Sequence, residues 1–167
     1  MARDNRGFTL LELVVVITIM GILMSLATIS AFPSYSARAR RCASQTDMLI
    51  TKCRIGCLSR AENVYLTLHT DSDGKIIGDY YENDGVLVSA DVLSEGRALM
   101  TYTVKSSGGT AETRNLGDSP LTLSFSRSTG AFKALPGGNY CTAINVLCGG
   151  RTYTIALTPS TGAHELS

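Results

Sequence analysis

Residues 7–32 read GFTLLELVVVITIMGILMSLATISAF, and the reading of the whole chain works outward from them. Positions 13–32 are twenty consecutive residues without a charge. As a helix rising about 1.5 Å per residue they would span roughly 30 Å, the thickness of a bilayer's hydrocarbon core. Three fates compete for such a run: a secretory signal that is removed, a plain anchor, or a helix that also serves assembly. Ala27 and Ala31 are small, but no clean small-x-small site precedes a polar mature start, so removal of the whole segment is disfavoured. The basic leader MARDNRG at 1–7 stands apart from the run.

Glu12 separates the two remaining fates. A carboxylate at the edge of an apolar run is costly in lipid unless it is protonated, paired or close to the interface. One reading places it in the headgroup layer as an acid near a helix N-terminus, where the helix dipole favours it. The other gives it a cation as partner. A cut after Gly7 would create an α-amino group on Phe8, four residues before Glu12 and therefore one helical turn away, or opposite it on an axially staggered neighbour. The residues alone leave both readings open.

The stretch GFTLLELVVVITIMGILMSL resembles the N-terminal signature of the type IV pilin and pseudopilin superfamily. That resemblance implies a prepilin peptidase that cuts between Gly7 and Phe8 and N-methylates Phe8, with Glu12 as the assembly carboxylate; Thr9 and Gly21 also match residues common in the family. It implies a single-pass inner-membrane precursor whose C-terminal domain lies outside the cytoplasm and which later enters a pilus or pseudopilus. The implied partners are the lipid bilayer before assembly, a membrane assembly platform and other pilin or pseudopilin subunits. Two departures stand out. Ile29 occupies the place where a helix-bending proline is often found, and Pro33 follows four residues later. Arg38, Arg40 and Arg41 follow the span while the leader offers Arg3 and Arg6 against Asp4, so the expected orientation rests on the resemblance rather than on a positive-inside asymmetry.

Beyond Pro33, which suits the first turn of a helix, Tyr35, Ala39, Cys42, Thr46, Leu49, Cys53 and Cys57 recur at three- and four-residue spacing with basic residues between them. This predicts an amphipathic continuation over 33–63. From 64 the pattern changes to β-like runs at 64–69, 86–89, 99–105, 121–126 and 152–158, separated by Gly, Ser, Asp and Asn. The expected fold is α+β: a long N-terminal helix, half membrane and half amphipathic, packed on one face of an antiparallel sheet as in pilins. Its parts are a leader at 1–7, a membrane and assembly helix at 8–32, the amphipathic helix at 33–63 and an exposed β-rich part at 64–167. The polar, Gly-rich stretch 106–119 reads as an exposed loop. LTLSFSRSTGAF at 121–132 and RTYTIALTPSTGA at 151–163 look like paired strand-Gly-turn units and loosely resemble a GspH/FimT-like minor pilin. A major pilin, or a minor subunit of another pilin class, fits the same residues.

Charge argues against a strong general affinity for nucleic acid, with a net charge of +1 and 17% charged residues. It is unevenly spread: six basic residues against Asp47 and Glu62 over 33–62, then five acids against Lys75 over 71–84. These are two solvated surfaces or a pair of complementary faces on neighbouring copies. The end of the chain from 152 onward carries no Lys or Arg, so a basic DNA-binding tail is not supported.

Of the five cysteines, Cys141 and Cys148 are the best candidates for a disulfide across a turn, the alternative being two semi-buried thiols. A zinc site on Cys42, Cys53 and Cys57 lacks a CxxC knuckle, and both histidines are distant. Asp71, Asp73 and Asp79 beside Gly74 and Gly78 offer a weak calcium candidate that lacks the spacing of an EF-hand and equally makes an ordinary turn. No HExxH, Walker loop or GxSxG is present, and His69 and His164 have no neighbouring nucleophile in sequence. The expectation is a structural subunit without cofactor or enzymatic activity, with a binding role for its exposed loops, toward a surface, cargo or DNA, as the alternative.

Overall fold

The computed structural model describes residues 10–29, 32–59, 63–83, 85–106 and 109–167, with helix side chains placed at 10–24 and 35–59. Two units are distinct, one ending at Ser34 and one comprising Tyr35–Ser167. The first contains helix α1 (Leu10–Ile29). The second contains most of helix α2 (Phe32–Ser59) followed, among the described residues, by nine strands.

From Tyr35 on, α2 follows the expected periodicity. Ala39, Cys42, Ala43, Thr46, Leu49, Ile50, Cys53 and Cys57 form its buried stripe, while Arg38, Arg40, Arg41 and Lys52 stay outside. Thr46 belongs to this stripe because its hydroxyl donates to the Cys42 carbonyl at 2.8 Å, which removes the penalty of burying an unpaired polar group. Most of the stripe is small. Gly78 on the sheet completes the fit: a side chain there would place its Cβ 2.6 Å from Leu49 Cδ1.

The strands form two antiparallel sheets rather than the single one expected. β1 (Tyr65–Thr70), β2 (Ile76–Glu82), β3 (Val86–Ser94) and β6 (Leu121–Ser124) make a four-stranded sheet in the order β3-β2-β1-β6. β4 (Leu99–Lys105), β5 (Ala111–Asn115), β7 (Tyr140–Cys148), β8 (Arg151–Thr158) and β9 (Ala163–Leu166) make a five-stranded sheet in the order β5-β4-β7-β8-β9. Both sheets contribute to one apolar core with α2, through Leu66, Leu68 and Tyr80 on one side and Ile144, Val146 and Ile155 on the other.

Four strands were hidden in the sequence. β2 alternates buried Ile76, Gly78, Tyr80 and Glu82 with half-buried residues, yet its Asp and Gly read as turn formers. β5 lies inside the stretch expected to be loop; it is an edge strand of polar residues, so neither face carries an apolar signal. β9 is only four residues long. β7 runs straight through the region where a turn was expected between Cys141 and Cys148. Its pairing with β4 skips Thr142, and this bulge puts Cys141 on the same inward face as Ile144, Val146 and Cys148 although it lies an odd number of residues from Cys148.

The two Ser-Thr-Gly turns are a matched pair. Gly130 N–H donates to Ser126 O at 2.7 Å and Gly162 N–H to Thr158 O at 2.9 Å, and both glycines have positive φ, at 67° and 68°. The turns also meet each other, because a Cβ on Gly162 would collide with the backbone carbonyl of Gly130. Arg54 on α2 closes the cluster, donating from Nη2 to Thr161 O at 3.0 Å. Gly162→Ala is therefore expected to cost at least ~3 kcal/mol, strain and collision together. Gly138→Ala, at φ 76° in open space, should cost only ~1 kcal/mol. Thermal denaturation of the full chain in detergent compares the two; equal losses would remove the turn-to-turn contact as a constraint.

Candidate assembly site

The first unit is unusual for what it leaves uncovered. Along α1, Leu10, Leu11, Leu13, Val14, Val15, Val16, Ile17 and Ile19 are all between 46% and 83% exposed, and Met20 to Met24 continue the same surface. A helix that is apolar all round, with no face reserved for water, is stable only when lipid or other protein surrounds it. Glu12 lies in its first turn as the single acid. Thr18 adds no demand of its own, since its hydroxyl donates to Val14 O at 2.7 Å and closes its hydrogen bond within the helix. A Cβ on Gly21 would meet nothing within 4 Å, which leaves a shallow, side-chain-free patch for a neighbour to approach. Among the described residues no helix is long and apolar enough to cross a membrane. Gly7 and Phe8, the expected processing positions, lie outside the described residues, as does the rest of the leader.

The other predicted sites do not assemble. Cys141 and Cys148 are free thiols at opposite ends of the same extended strand, about 23 Å apart at ~3.3 Å per residue, so they cannot form the expected disulfide. Burial pushes the thiols of Cys42, Cys53 and Cys141 up to about 12; the neighbouring Cys148 adds to the effect on Cys42, and Cys57 to that on Cys53. Such thiols are protonated at neutral pH and make poor nucleophiles and metal ligands. Cys57 instead points its Sγ at Phe125 O, 3.1 Å away, tying α2 to the chain beyond β6.

The calcium candidates are also employed elsewhere. Asp71 Oδ1 accepts from the backbone N–H groups of Asp73 and Lys75 at 2.9 and 2.8 Å, the hydrogen bonds of an ordinary turn. Asp79 lies in β2, where it accepts from Tyr81 Oη at 3.4 Å and sits 3.6 Å from His69 Nδ1. Among the described residues no group of three or more ligating side chains is placed to hold a metal ion. His164 lies in β9 with its side chain 9% exposed, 2.9 Å from Thr51 Oγ1 and 3.6 Å from Asp47 Oδ1, and fastens β9 to α2.

What remains is helix α1, exposed and apolar on every side and carrying one carboxylate in its first turn. Residues 2–28 match the family described as the prokaryotic N-terminal methylation motif. That match covers 27 residues and supports the type IV pilin, prepilin-type signature at this end of the chain. Comparison with curated proteins and with solved structures gave no match.

The burial of the cysteines is open to direct measurement. In the detergent-solubilised full chain near neutral pH, an aromatic disulfide reagent should titrate none of the five thiols rapidly, and all five after denaturant. For Cys42, Cys53 and Cys141 the thiolate fraction, and with it any residual rate, should rise only as pH approaches 12. A rapid phase in the folded chain would contradict this packing.

Proposed function

We propose that this chain is a structural subunit of a type IV pilus or of a type II secretion-like pseudopilus, with no catalytic role of its own. The observation that carries the proposal is the uncovered apolar surface of α1. In this reading a prepilin peptidase cuts between Gly7 and Phe8 and methylates Phe8. The apolar run 13–32 then holds the precursor in the inner membrane as a single pass, with the β-rich unit outside the cytoplasm. Polymerisation exchanges lipid for neighbouring helices, so the apolar surface stays dry throughout.

Glu12 sets the register. In the fibre its carboxylate faces the Phe8 amine of an adjacent subunit, because an uncompensated carboxylate in an apolar helix bundle costs several kcal/mol. A one-turn slip would bury both charges without partners.

A second reading, a minor subunit that binds a surface or cargo, has one observation in its favour. β3 lies at the edge of the four-stranded sheet and exposes Val86, Leu87, Val88 and Val92, each at least 50% accessible. Such an edge suits strand addition by a partner.

Mass spectrometry of the mature chain should find N-methylated Phe8 as its first residue. Glu12→Ala should leave that product intact while reducing incorporation into fibres at least tenfold. Normal incorporation of the variant would refute the register role, and an unprocessed N-terminus would refute the precursor reading itself.

A further inference from the structure

Arg38 and Arg41, three residues apart on one side of α2, line a cleft of about 300 Å³ together with Gln45 of the same helix and Arg97 from the β3–β4 connection. Arg97 reaches the cleft because Gly96 turns the chain at φ 80°, with its Cα side pressed toward the backbone of Asp73. Among the described residues none of these three arginines forms an ion pair. Glu95 is the one acid among the lining residues, against three arginines. Val92 and Leu93 supply an apolar wall alongside them. Guanidinium groups match phosphate oxygens in pairs of hydrogen bonds, and convergent unpaired ones seek an oxyanion.

We propose that this cleft binds the phosphate of an anionic phospholipid headgroup. The inference rests on the membrane placement proposed above. Arg38 is only six residues beyond the end of the apolar run at 32, so the chain cannot separate the two by more than about 21 Å whatever its path. The apolar wall beside the arginines suits an amphipathic ligand better than a free ion. The same placement accounts for a feature that a positive-inside distribution leaves unexplained, a cluster of arginines just past the span on the exported side. A cleft occupied by a headgroup fixes the height of the β-rich unit above the bilayer and keeps it there until the subunit is withdrawn into a fibre.

The test uses the full chain in neutral detergent, with bound lipid counted by native mass spectrometry. Phosphatidylglycerol should be retained at least tenfold better than phosphatidylcholine. Replacing Arg38, Arg41 and Arg97 together by Gln should abolish the preference, at roughly fivefold per arginine, while replacement by Lys, which keeps the charge but not the paired hydrogen bonds, should keep only part of it. Arg40→Gln is the control: Arg40 lines a different cleft, with Tyr153 and Leu166, so the preference should persist. Equal retention of the two lipids, or an equal loss in Arg40→Gln, would overturn the proposal. Displacement of phosphatidylglycerol by millimolar inorganic phosphate would overturn the lipid in favour of a free oxyanion. An unchanged thermal midpoint in each variant shows that the fold is intact. Flotation with pure phosphatidylcholine vesicles checks the underlying reading separately: every variant should float, and failure of the wild-type chain to do so would refute the membrane placement whatever the lipid preference in detergent.

Discussion

One face of α2 has to serve two sheets at once. A helix normally covers a single sheet at about 10 Å, and large side chains on its buried stripe would hold at least one of the two sheets away. Here the stripe is dominated by Ala39, Cys42, Ala43, Cys53 and Cys57, and the sheet answers with Gly78 opposite Leu49. Polar fastenings then fix the helix at both flanks. Cys57 reaches the chain after β6, while Thr51 and Arg54 reach β9 and the turn before it. Because the chain passes from the first sheet to the second, back through β6 and out again, these contacts hold segments that local sequence would not bring together.

The first unit obeys the opposite rule. Its helix keeps large apolar side chains on every side and buries none of the described ones. Apolar side chains exposed in this way are stabilised by any surroundings that take them out of water. The contrast is physical: one unit satisfies its apolar surface internally, and the other leaves its described apolar side chains exposed.

Charge is organised more locally than a count along the chain suggests. The acidic stretch after β1 is spent on its own turn, with Lys75 Nζ 3.3 Å from Asp73 Oδ2, and its backbone abuts Gly96 beside the arginine cleft. Acidic and basic segments that read as two separate faces are neighbours at one end of the unit. The cysteines show the same lesson. Spacing made Cys141 and Cys148 a plausible pair across a turn, but a strand with one bulge carries both thiols into the core at a distance no disulfide spans.

The sequence by itself determined the features that depend on near neighbours: the apolar run and its carboxylate, the helical stripe from Ala39 to Cys57, the alternation in β1, β4, β6 and β8, and the twin Ser-Thr-Gly turns. Each is written at a fixed local period or in a short motif, so it survives reading without a fold. Tertiary structure alone decided what depends on pairing at a distance. β5 is a strand because β4 offers it an edge, not because ETRN alternates; β7 is a strand because β4 and β8 flank it; and the core is shared by two sheets because β6 returns to the first. The meeting of Arg38, Arg41 and Arg97 at one cleft belongs to the same category, since Arg97 lies 56 positions after Arg41 and the fold brings the two together.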